Sequence, residues 1–242
     1  MSEFIKGAKY AFSGFRLMTQ PGIRLYVLVP LLINTLLFAA VIVYGVNLLG
    51  DFIHWLSDQW SWLDWIGWLL WPFFVVISLI IVFFCFSIIA NLIGAPFNGL
   101  LAAAVENTLS GTTEPTQTGI GGFVREIWLG IKAEFIKFLY FLIRALPLLL
   151  LFLIPLVQAV APVIWFLFGA WMMALEYLDY PMGNHGLFFP DIRARIRVKR
   201  ALAIGFGSGV LLLTMLPVVN FIAMPVAVIG ATRLYLNEFK TA

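Results

Sequence analysis

The stretch LYVLVPLLINTLLFAAVIVYGVNLL, residues 25–49, runs for twenty-five positions without a charged side chain. As a helix rising ~1.5 Å per residue it would be about 37 Å long, enough to cross the ~30 Å hydrocarbon layer with some tilt. The rest of the chain has the same character. Of 242 residues, 62% are hydrophobic and 11% charged, where an ordinary soluble domain has roughly 45–50% and 25%. One core cannot hide that much apolar surface from water. The chain is therefore read as an all-α integral membrane protein, a single membrane domain over residues 1–242.

The stretch that follows residue 49 holds five tryptophans, Trp55, Trp60, Trp62, Trp65 and Trp68, among Asp51, Asp58 and Asp64. Trp favours the headgroup level, so this stretch reads as an interfacial belt. A site for an aromatic or cationic ligand is the sharper alternative. A second apolar run over 66–93 completes a transmembrane hairpin, 25–93. NLIGAPFNGL (91–100) then breaks the span, and a helical stretch continues to Asn107. SGTTEPTQTGIGG (110–122) is a plain polar loop. An amphipathic helix resumes at Phe123, so residues 94–137 read as amphipathic helices and a loop on the cytoplasmic side.

Four shorter apolar segments follow. Segments 138–154 and 159–175 form a second hairpin within 138–178. Segments 201–216 and 220–235 form a third within 201–236. A sixteen-residue arm such as 201–216 is only about 24 Å long, short of the ~30 Å core. The tips of both hairpins carry no charge. Pro155, Pro162 and Pro217 break the backbone there, which is tolerable where protein or water satisfies it. Short arms and uncharged tips predict hairpins that enter the membrane without fully crossing. Ordinary spans in a thinned bilayer are the competing reading. The expected architecture is two long transmembrane helices, two shorter, partially penetrating hairpins, and amphipathic interfacial helices.

At the other end, residues 1–20 place Phe4, Ile5, Ala8, Ala11, Phe12 and Phe15 at helical spacing, with Lys6, Lys9 and Arg16 between them. This suits a basic amphipathic helix in the membrane surface. A short cap packed on the rest of the protein explains the pattern equally well. The segment lacks the continuous apolar centre of a cleaved signal. All fifteen Lys and Arg fall in the N-terminal segment, in 94–144, in 193–200 or near the C-terminus. Assigning every one of these regions to the cytoplasm satisfies the positive-inside bias, with both termini inside.

The residue inventory argues against catalysis. The single Cys85 lies in an apolar run, and His54 and His185 have no metal-ligand spacing. There is no Gly-rich phosphate loop, nucleophile elbow or paired-carboxylate motif. No enzyme activity, cofactor or metal is expected. The run Arg193, Arg195, Arg197, Lys199 and Arg200 is read as a topology and lipid-headgroup signal, not as a nucleic-acid site.

Gln20-Pro21-Gly22-Ile23-Arg24 opens the first span. Pro suits the first turn of a helix, and a helix start carries unpaired N–H groups and about half a positive charge. Gly22 allows close approach to that backbone, and Arg24 adds a planar fork of donors that suits an oxyanion. The same residues also read as a plain turn with a headgroup anchor, and physics alone leaves both readings open. Glu106 and Arg144 interrupt apolar stretches, where ionisable groups tend to be paired or functional. Pairing among Glu106, Arg125, Glu126 and Arg144 is the expected arrangement, and His185 is read as a loop-fixing hydrogen bonder.

Three stretches taken together, PGIR (21–24), NLIGAPFNGLLA (91–102) and YLDYPMGNHG (177–186), resemble the bacterial CysZ family of sulfate permeases. The resemblance covers nearly the whole chain. It implies an inner-membrane protein that imports sulfate for cysteine synthesis, built from two long helices and partially penetrating hairpins, and assembled as a homo-oligomer among lipids. It also implies a sulfate site at Gly22, Ile23 and Arg24, where the family carries a Gly-Leu-Arg motif. Relatives often have a second Arg next, and Leu25 stands there in this chain. No nucleotide-binding motif is present, so transport is expected to be passive or driven by an ion gradient. Other oxyanions such as sulfite, thiosulfate or molybdate, and a non-transporting scaffold role, are the alternatives carried forward.

Overall fold

The computed structural model describes residues 2–59, 72–73, 75–77, 80, 97–111 and 120–240, with the backbone alone at 46, 49, 53–54, 56–57 and 120–131. Every regular element among them is helical: α1 (Glu3–Leu17), α2 (Arg24–Gln59), α3 (97–110), α4 (Ile120–Leu150), α5 (Ala161–Asn184), α6 (Phe189–Val198), α7 (Arg200–Met215) and α8 (Pro217–Glu238). The chain divides into two compact units. One comprises Met1–Tyr26 with Asn98–Ala242, the other Val27–Phe97.

The second unit holds most of α2. Its window of highest hydropathy is almost wholly exposed, with Leu28, Leu32, Leu36, Tyr44 and Leu48 pointing outward. A row of exposed large apolar groups is costly in water and ordinary in lipid. The helix does not stop at the apolar boundary but continues through Asp51 and Trp55 to Gln59. Only Gly50 interrupts this stretch as a poor helix former, and a lone Gly costs about 1 kcal/mol. The second span, 66–93, and most of the Trp belt lie outside the described residues.

In the first unit α1 packs against α7 and α8, and α5 against α7 and α8. α1 begins with Ser2 as N-cap, whose hydroxyl accepts from the Ile5 N–H. The elements meet through small residues. A Cβ on Gly7 would strike the Leu202 carbonyl, one on Gly14 the Val226 carbonyl, and one on Gly205 the Phe4 carbonyl. Gly207 likewise rests on the backbone of Ala170. Such close backbone approach is how helices associate where lipid removes the hydrophobic drive. The N-terminal segment is thus docked as a cap. Phe4, Ile5 and Phe12 remain exposed on it, an apolar surface left for lipid.

The expected amphipathic helix from Phe123 and the third apolar segment merge into one helix, α4. No breaker separates Lys137 from Phe138, and Pro147 is accommodated within it. α5 also outruns its apolar segment, ending at Asn184 beyond Pro181. The α4–α5 tip is built of two short 3₁₀ turns, Leu151–Leu153 and Val157–Ala159, and Leu156 is 93% exposed. The α7–α8 tip is shorter still, with Leu216 joining Met215 directly to Pro217. α7 has 16 residues and α8 has 22, so at ~1.5 Å per residue α7 spans about 24 Å and α8 about 33 Å. The third hairpin therefore has one short arm and one arm long enough to cross.

The glycine seam makes a direct prediction. Gly14→Val should lower thermal stability in detergent by about 3 kcal/mol or more, because backbone must move to admit the side chain. Gly183→Ala, where a Cβ meets nothing within 4 Å, should leave the melting temperature unchanged or slightly raised. Equal melting of the two variants would refute the seam.

Candidate functional site

The site is built around the first turn of α2. Gly22 has φ +93°, a left-handed conformation that favours glycine, and a Cβ placed on it would lie 3.8 Å from Thr108 Oγ1 on α3. Ile23 is fully buried and anchors the turn, while the Arg24 side chain is exposed. Arg24 makes no ion pair among the described residues. The expected unpaired amides are partly spoken for, since the Ile23 and Arg24 N–H groups both donate to the Gln20 carbonyl at 3.1 Å. Any anion here therefore meets the guanidinium and the positive end of a 36-residue helix more than a cradle of open amides.

Glu106 sits on the same helix as Thr108 and is 8% exposed. It pairs with neither Arg144 nor, so far as the described side chains extend, any other arginine. Lys240 Nζ lies 2.7 Å from its Oε1 and His185 Nε2 2.9 Å from its Oε2. Burial pushes the Glu106 carboxyl up, but the hydrogen bonds and charges of Lys240 and His185 outweigh it and hold it below the usual carboxylate range. His185 is thus the loop-fixing hydrogen bonder the sequence suggested, with Tyr235 5.4 Å away ring to ring. Asn184 adds a hydrogen bond to the Gly99 carbonyl, and Asn98 donates to the Tyr180 hydroxyl. The Asn-Gly and Asn-His motifs therefore meet, joining α3 to the end of α5. The side chains of Arg125 and Glu126 and that of His54 lie outside the described residues.

Arg144 instead lies over the Tyr140 ring at 3.7 Å, and the Arg193 guanidinium is 5.3 Å from the same ring. Two further ionic clusters had no sequence signal. Lys6 and Lys199 converge on Glu238 at 2.7 and 3.0 Å, and Tyr10 donates to the same carboxylate. Lys137, only 6% exposed at its side chain, holds Glu176 and Asp179 on α5 at 3.0 and 2.9 Å, and also Glu134. Periodicity could not have found these partners. Only the unusual cost of a charge near the membrane marked the residues at all.

Together these features define a multi-pass helical membrane protein. Four helices among the described residues are long and apolar enough to cross a membrane: Arg24–Phe52, Lys132–Leu153, Ala161–Asn184 and Pro217–Glu238. Two of its ionic clusters, at Glu238 and at Glu106–Lys240, gather around the C-terminal end of α8. The chain belongs to the family described as Sulfate transporter CysZ/Etoposide-induced protein 2.4, whose profile it matches over residues 10–225. It is similar to the Sulfate transporter CysZ of Pectobacterium atrosepticum, 43% identical over 236 residues, which cover 97% of this chain and 86% of the relative.

The Glu106 network predicts a pH effect. A carboxyl held below its ordinary range stabilises the fold above that range, and this contribution is lost as pH falls through the folded value. Glu106→Gln should therefore melt below the wild type at pH 7, with the gap narrowing on acidification through the carboxylate range. A gap independent of pH in thermal melts would contradict this. Lys137→Met, which strands three carboxylates, should cost about 3–5 kcal/mol of stability.

Proposed function

We infer that this chain is a sulfate transporter, a multi-pass inner-membrane protein that moves the dianion toward the cytoplasm for cysteine biosynthesis. The observation that carries the reading is its 43% identity over 97% of the chain to a relative named Sulfate transporter CysZ. The activity is transport and not catalysis. Gly22, Ile23 and Arg24 are the proposed capture site. Sulfate has four acceptor oxygens and no proton to give near neutral pH, so a fixed guanidinium at a helix start suits it. With Leu25 in place of a second Arg, the site binds weakly enough to release, as conduction requires.

The proposed topology has both termini in the cytoplasm. Lys6, Lys199 and Glu238 share one ion cluster, and Lys240 joins His185 at Glu106. The N-terminal helix, the basic corner and the C-terminus therefore meet at one end of the unit, as the positive-inside bias requires. Exposed apolar residues at the tips, Leu153, Leu156, Val218 and Phe221, support hairpins whose ends are covered by lipid or by other copies in a homo-oligomer.

Arg24→Ala should weaken sulfate binding to the purified protein about tenfold or more, as loss of a charge-assisted contact implies. Labelled-sulfate uptake into proteoliposomes should fall in parallel, with folding and oligomeric size unchanged. Equal binding and uptake in both proteins would move the capture site elsewhere. No binding of sulfate to the wild type would sink the transport reading.

A further inference from the structure

The last turn of α3 faces Gly22 through Thr108, and its next two residues line a separate hollow. Leu109, Ser110, Arg233, Leu236, Asn237 and Lys240 line an open cavity of about 400 Å³. No carboxylate is among them. Arg233 is half-buried on α8, within the segment Pro217–Glu238 that is apolar enough to cross a membrane. A half-buried guanidinium on such a segment needs water, a headgroup or an anion to face. No acidic side chain among the described residues pairs with it.

The nearby acids are engaged elsewhere. Glu238 holds Lys6 and Lys199, and Glu106 holds Lys240 and His185. Glu134, Glu176 and Asp179 surround Lys137, while Glu3 and Asp191 stand in the first turns of α1 and α6. The cavity therefore presents a guanidinium, a lysine partly neutralised by Glu106, the Asn237 amide, which also donates to the Tyr10 hydroxyl at 3.3 Å, and the Ser110 hydroxyl. Every one of these groups can donate a hydrogen bond. That is the donor set for a tetrahedral oxyanion, with the Glu106 carboxylate held behind Lys240 at 2.7 Å.

We propose that the Arg233–Lys240–Asn237–Ser110 cavity binds a tetrahedral oxyanion and serves as a second station for the transported sulfate, beside the capture site at Arg24. The inference rests on the transport reading above. Arg24 balances one of the two charges on sulfate, and Leu25 supplies no second. A second cationic cavity, lined by the two residues that follow Thr108, gives the ion somewhere to go. Two modest sites in series conduct better than a single deep one, because each must also release.

The test uses the full-length protein, with labelled-sulfate uptake in proteoliposomes made with and without phosphatidylglycerol, and sulfate titration in detergent. Arg233→Gln should cut uptake about tenfold, the scale of a lost charge-assisted hydrogen bond. Arg233→Lys should keep most of the uptake. Ser110→Asp, at an exposed position, should depress uptake like Arg233→Gln by placing a carboxylate in the cavity, without altering melting temperature or elution volume. If Arg233→Gln and Ser110→Asp transport like the wild type while Arg24→Ala is impaired, this station is overturned and the capture site stands. If the variants change only the response to phosphatidylglycerol, the cavity holds a lipid phosphate and the transit role falls. A wild type that neither binds nor moves sulfate overturns both.

Discussion

Close backbone contact between α1, α7 and α8 is the constraint on which the rest of the first unit depends. Lipid offers helices no hydrophobic reason to associate, so attraction must come from packing at short range. Gly7 and Gly14 on α1, and Gly205 and Gly209 on α7, let carbonyls and Cα atoms approach where any side chain would intervene. The same approach brings Lys6 within reach of Glu238 and sets Tyr10 beside it. An N-terminal helix that only lay in the membrane surface could not fix either contact.

With that bundle set, the ends of the helices become a polar layer. α3 crosses it carrying Asn98, Glu106 and Thr108, and each meets a residue from a distant part of the chain or faces the turn at Gly22. The layer explains why the chain retains charged groups near lipid. Each buried carboxylate there is matched by two or more donors, which is the condition for a charge to be tolerable away from water. Arg24 and Arg233 are among the basic groups with no carboxylate partner among the described residues. A transporter of a dianion uses such groups, since a site already neutralised by protein acids would leave nothing for the ligand.

Residues 25–49 determined the class of protein by themselves, because transfer into lipid is a per-residue property that composition and length express directly. The glycine and proline at positions 21–22 likewise announced a helix start, since those preferences are local. The ends of α2, α4 and α5 were less legible. Helices run past apolar boundaries whenever no strong breaker stands in the way, so the polar continuations to Gln59 and on to Asn184, and the fusion of the helix expected from Phe123 with the third apolar segment, escaped a reading based on hydropathy.

The partners of the charges were not legible at all. Glu106 meets Lys240 across 134 positions, and Tyr10 meets Glu238 across 228. No local period or spacing encodes contacts at that separation. Sequence could say that a charge in an apolar context must be matched, because the cost of leaving it bare is intrinsic to the residue. Which side chain matches it, and which cation is left to face an anion, was decided only when the helices packed and geometry fixed who could reach whom.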